Sequence, residues 1–211
     1  MTKAVAPLSE SVYQAFPSPL HAKLAGVVAV LGPSELDRNT SLGDFTVTVG
    51  QHVLRIPERV YTGEPSEEGL ASLDHLQKTA LACWLSRHHD GRIRQRCLEV
   101  VIAAEQDWVV PYVVRLVGEY VVEILEVIDS RLREQLERSG VLRQHYMAFV
   151  RANPGFIELT RQRVLSYWDC YYRSRWPKSL RLRPNYTDYP GFRVMELIGQ
   201  LPSVDRLGSL G

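Results

Sequence analysis

Cysteine is scarce in this chain and badly placed for pairing. The 211 residues include three, Cys83, Cys97 and Cys170. An odd number with no CxxC pair argues against a disulfide framework or a zinc ribbon, and fits a reducing compartment. Long apolar runs are also missing. "AGVVAVLG", residues 25–32, is far short of the roughly 20 residues a bilayer demands. The N-terminal stretch has no apolar core of signal length and carries prolines instead. Net charge is only +1, so no whole-protein field draws the chain to nucleic acid or to a membrane. Glycine-rich phosphate loops, nucleophile elbows and HExxH are absent. These absences point to a cytoplasmic protein that needs no membrane, no metal and no cofactor.

What is present is ordinary globular material, 45% hydrophobic and 23% charged, enough for a core. Residues 1–20 read as a loose, proline-bearing arm. Residues 25–31, stopped by Gly32-Pro33, read as a short buried strand. "DFTVTVGQHVLRIP" alternates, with Phe45, Val47 and Val49 on one face. Gly50-Gln51 suits a two-residue type II′ turn, which predicts a hairpin of 44–49 with 52–57. Residues 21–62 are therefore a small sheet region.

From residue 66 the period becomes helical and continues to about 200. One helix carries Leu70, Leu73, Ala80, Leu81 and Trp84 on its stripe. A second, from about 91, buries Ile93, Cys97, Val100 and Val101. A third runs unbroken from Pro111 to Arg138, with Tyr120 on its apolar face. Helix four covers 141–152. Helix five starts at Pro154, capped by Asn153, and buries Val164, Tyr167, Trp168 and Tyr171. Residues 201–211 read as a frayed tail. The expected fold is α+β: a small N-terminal antiparallel β-sheet followed by a bundle of about five α-helices.

"SRHHDGRIRQR", residues 86–96, packs two histidines, an aspartate and four arginines into one turn region. Its continuation reads Asp-x-x-Ile-Arg-x-x-Cys-x-x-x-Val, from Asp90 to Val101. This resembles the helix-start signature of HEAT-type repeats. The likeness spans about residues 66–128 and implies one helix-turn-helix packing unit. No second copy stands at a fixed spacing, so it implies no solenoid. In this reading Asp90 caps the second helix and Arg94 braces the neighbouring turn. The competing reading makes the turn a site. His88, His89, Asp90 and Arg94, joined by Glu119 and Glu123, would then support metal-assisted hydrolysis.

Charge is unevenly spread. Residues 105–137 hold eight acids and three bases; residues 161–183 hold seven bases and one acid, Asp169. "WDCYYRSRWPKSLRLRPNY" interleaves the bases with rings, and Tyr172, Trp176, Tyr186 and Tyr189 fall outside the helix-five stripe. Tyr172, Arg173, Arg175, Trp176, Lys178, Arg181 and Arg183 are thus the candidate contact residues. Tyr, Trp and Arg dominate protein interfaces. The expectation is a non-enzymatic, self-associating interaction module. Binding of single-stranded RNA or DNA by the same residues, arginines on phosphates and rings under bases, is the alternative.

Overall fold

A computed structural model describes residues 7–34, 43–173 and 188–208. The fold is α+β, with a small antiparallel sheet near the N-terminus and helices over most of the remainder. The chain divides into two compact units, Met1–Ala104 and Glu105–Gly211. The boundary falls inside the stretch that sequence periodicity treats as one helical region.

The first unit opens with helices α1 (Leu8–Gln14) and α2 (His21–Val30). Described residues of the expected loose arm are therefore helical and packed. Val12, Ala15, Phe16 and Leu20 are buried. The apolar run read as a strand belongs to α2. Leu20, Leu24 and Val27 recur at i, i+4 and i+7, and this helical period overrides the β-branched character of the run. Strand β1 (Gly32–Ser34) comes only after it and pairs with β4 (Thr62–Gly63).

The hairpin forms at the expected residues, β2 (Asp44–Val49) against β3 (His52–Pro57). Phe45, Val47, Val49, Leu54 and Ile56 face the core. Gly50 has φ of 57°, as a first turn position with positive φ requires.

Three further helices complete this unit: α3 (Glu67–Ser72), α4 (His75–Leu85) and α5 (Gly91–Ala103). The single helix expected from residue 66 is split because Asp74 begins a new one. Its side chain accepts from the Gln77 amide, and the Gln77 side chain accepts from the Asp74 amide, both at 2.9 Å. The buried face of α5 is Ile93, Arg94, Leu98, Val101 and Ile102. Val100, placed inside by periodicity, is 40% exposed.

The second unit is built around α6 (Val110–Val117), every residue of which is buried. Such a helix sits in the middle of a core. Around it lie α7 (Val122–Arg138), α8 (Gly140–Ala152), α9 (Pro154–Tyr167) and α10 (Pro190–Gly208), each in contact with it. Helix α7 contributes Ile124, Ile128, Leu132 and Leu136 at strict i+4 spacing. Arg193 of α10 donates to Asp129 of α7 through Nε at 2.7 Å.

The unbroken helix expected over 111–138 is interrupted at 118–121. Arg115 turns its Nη1 onto the Gly118 carbonyl at 3.2 Å and lies 3.6 Å from the Glu119 carboxylate. That buried arrangement closes α6 and lets the chain restart as α7. Asn153 does not cap α9 through its side chain. Its Nδ2 donates back to the Phe149 carbonyl at 2.9 Å, finishing α8 instead.

Candidate interaction surface and the histidine turn

The turn at residues 86–90 lies in the first unit, just past the end of α4. His88 is buried and His89 is exposed. The Nδ1 of His88 accepts from the Asp90 amide at 3.0 Å, and its Nε2 lies 3.0 Å from the Thr62 carbonyl. An accepting Nδ1 assigns the proton to Nε2, so this network corresponds to the neutral ring. His89 stacks on Tyr61 with ring centroids 5.0 Å apart. Two neighbouring backbones are joined here. Val60 donates to the Arg87 carbonyl at 2.9 Å, and His89 donates to the Val60 carbonyl at 3.0 Å.

Both buried arginines of the motif serve backbone carbonyls. Arg87 donates through Nη2 to Glu58 at 2.6 Å. Arg94 donates through Nη1 to His88 at 2.7 Å and to His89 at 2.9 Å. Asp90 accepts from the Arg92 amide at 2.8 Å and caps α5. That amide holds the Asp90 carboxyl below its ordinary value. Turn carbonyls that a long connector would leave unpaired are thus satisfied by the motif's own cations.

Glu119 and Glu123 belong to the second unit and share no helical ridge. Glu119 is buried beside Arg115 in the break after α6, whereas Glu123 is exposed in the first turn of α7. Among the described residues, no three His, Cys, Asp or Glu side chains converge to hold a metal ion.

Of the basic, ring-rich set, Tyr172 and Arg173 are described; Arg175, Trp176, Lys178, Arg181 and Arg183 lie outside the described residues. Arg173 is exposed and pairs with Asp169 at 2.8 Å. Tyr172 is half-buried, with its hydroxyl donating to the Tyr120 carbonyl. Its desolvated phenol titrates above the ordinary value. Tyr189, placed among the free aromatics by the sequence, is fully buried. Its ring lies 5.3 Å from Trp168 and 5.4 Å from Tyr172.

Three other tyrosines cluster at the surface, Tyr120 and Tyr171 exposed and Tyr167 half-buried. Tyr120, Tyr167 and Tyr171 stand in a triangle with ring centroids 6.1, 6.4 and 6.0 Å apart. Tyr120 is 48% exposed and Tyr171 is 52% exposed. Periodicity assigned all three to buried stripes. For Tyr171 the cause of the difference is a π-turn at Trp168–Tyr172, closed by the Arg173 amide on the Trp168 carbonyl at 2.8 Å. The wide turn inserts one extra residue into the helical count. Trp168 and Tyr172 then follow Phe156, Thr160 and Val164 inward, and Tyr171 moves out. Tyr120 is displaced by the break between α6 and α7. Helical periodicity marks neither irregularity; the density of tyrosine around the basic block marks only the region.

Comparison of the chain with protein-family models, with curated proteins and with solved structures gave no match. The HEAT resemblance therefore remains a likeness of the 90–101 pattern. Among the described residues, no helix is long and apolar enough to cross a membrane.

Proposed function

We propose that this chain is a non-enzymatic interaction protein that associates with a second copy of itself through the second unit. The observation that carries this reading is the Tyr120–Tyr167–Tyr171 triangle, with two of its rings about half exposed. Tyrosine offers large, stiff contact area at low entropic cost, and clusters of it mark interface centres. Charge selects the partner. The basic block 161–183 adjoins the triangle in sequence, and the acidic block 105–137 lies in the same unit. A two-fold arrangement sets each block against the other's complement, so one surface serves both copies. Tyr172, Arg173, Arg175, Trp176, Lys178, Arg181 and Arg183, the contact residues expected from the sequence, belong to the basic side of this reading.

Sedimentation velocity over a concentration series tests this. The native chain is expected to shift from monomer to dimer, and added salt to weaken the dimer. Tyr120→Ser with Tyr171→Ser is expected to leave a monomer with unchanged circular dichroism. A native chain that stays monomeric throughout, or a double variant that still dimerises fully, overturns the reading. Tight, steeply salt-dependent binding of a labelled single-stranded oligonucleotide by such a monomer would replace it with nucleic-acid binding.

A further inference from the structure

The first unit contains a hollow of about 410 Å³, bordered by α3, α4 and α5. Its size lies within the ordinary range of small-molecule sites, roughly 300–1,000 Å³. At the ~30 Å³ that a water occupies in the liquid, it accommodates roughly a dozen non-hydrogen atoms.

Its wall is aliphatic. Leu81 and Leu85 come from α4, Leu70 from α3, and Val100 and Cys97 from α5. Leu70 and Val100 remain 39% and 40% exposed, so two large apolar side chains stand open at the hollow. This explains the rotation of α5: turning Arg94 inward carries Cys97 and Val100 to the hollow. Among the described residues no aromatic side chain lines it, so they offer no platform on which a base or an indole could stack. Cys97 contributes a wall and no nucleophile, because burial pushes its thiol up to about 12.

The border is cationic. Among the described residues three charged side chains line the hollow: Glu64, Lys78 and Arg96. Arg96 is engaged with Glu64. Lys78, exposed at the mouth, makes no side-chain hydrogen bond or ion pair among the described residues. One cation is thus left over beside an apolar floor. A single net positive charge suits a monoanion better than a polyphosphate, and an aliphatic wall suits a straight hydrocarbon tail.

We infer that this hollow binds a medium-chain aliphatic monocarboxylate, with its tail along Leu81, Leu85 and Val100 and its headgroup at Lys78. The contacts are confined to the first unit. They are independent of the tyrosine surface, and either reading can fail without the other.

Isothermal titration of the full chain with sodium decanoate, kept below its micelle concentration, tests the inference. Decan-1-ol serves as the uncharged comparator with the same tail. Saturable one-to-one binding is expected for decanoate, at least tenfold tighter than for decanol. Lys78→Gln, a surface change, is expected to remove about that tenfold preference. Val100→Trp, at a position already open to solvent, is expected to fill the hollow and abolish binding with the melting temperature intact. No saturable decanoate binding to the native chain overturns the proposal. So does binding that survives Val100→Trp, which would place the ligand elsewhere. Equal affinity for decanol together with an inert Lys78→Gln overturns the assignment of the carboxylate.

Discussion

The guanidinium of Arg94 meets the carbonyl oxygen of His88 at 2.7 Å, and the same Nη1 reaches that of His89 at 2.9 Å. Arg94 is 1% exposed, so these bonds form almost out of water. Arg94→Met keeps the length of the side chain and removes the donor. Two carbonyls then lose a charged partner, at a cost of about 3 kcal/mol. Hydrogen exchange over residues 86–94 reads this locally, without assuming that the two units unfold together. Protection there is expected to drop sharply. Unchanged protection would mean that His88, Arg87 and the backbone bonds to Val60 hold the turn without Arg94.

How much of this was legible beforehand depends on whether a feature is periodic. The hairpin was, because Phe45, Val47 and Val49 alternate and Gly50 permits the turn. Asp90 as a cap was legible from its position before an apolar stripe. Helix α2 was obscured by its run of valines, although the spacing of Leu20, Leu24 and Val27 carried the answer. The break after α6 was not legible, since it depends on Arg115 and Glu119 being buried together. The exposed tyrosines were hidden for a similar reason. A π-turn shifts the register by one residue, and side-chain periodicity assumes a constant 3.6. Sequence therefore located the ring-rich region but misassigned which rings face out.

The hairpin turn makes its own prediction. Among the described residues, Gly50 carries the positive φ, at 57°. A Cβ in that conformation costs about 1–2 kcal/mol. Gly50→Ala should therefore lower the urea midpoint of the first unit, and Gln51→Ala beside it should change little. Equal effects at the two positions would show that the turn does not depend on a glycine.

Acid should weaken the first unit through two carboxylate helix caps. Asp74 is held below its ordinary value by the Lys23 ammonium at 2.7 Å, and Asp90 by the Arg92 amide. A carboxyl with a depressed folded value stabilises the fold fully above its unfolded value, about 3.9. That contribution is lost as pH falls through the folded value. Melting temperatures are thus expected to be flat near neutrality and to fall below about pH 4. Asp74→Asn with Asp90→Asn keeps the oxygen that accepts the amide in each cap, gives up the Asp74 oxygen that accepts from Lys23, and cannot titrate. This variant should start less stable and lose less on acidification. Parallel acid limbs for native and variant chains would assign the loss to other groups.

Two glycines of α10 separate packing from helix propensity. A Cβ built on Gly191 would stand 2.8 Å from Cε1 of Tyr189 and 2.9 Å from Cγ1 of Val164, while one on Gly199 meets nothing within 4 Å. Intrinsic propensity favours alanine over glycine by roughly 1 kcal/mol at interior helical positions. Gly199→Ala should therefore stabilise the second unit by up to about that amount. At Gly191 the added methyl must push into the cluster of Trp168, Tyr172, Tyr189 and Phe192, whose ring centroids already lie 5.3–6.1 Å apart. Overpacking of this kind costs about 1–3 kcal/mol and outweighs the propensity gain. Opposite signs for the two substitutions in urea denaturation are the expected result. Two stabilising substitutions would show that the ring cluster yields easily, and that α10 is not fitted to the end of α9 by close contact at Gly191.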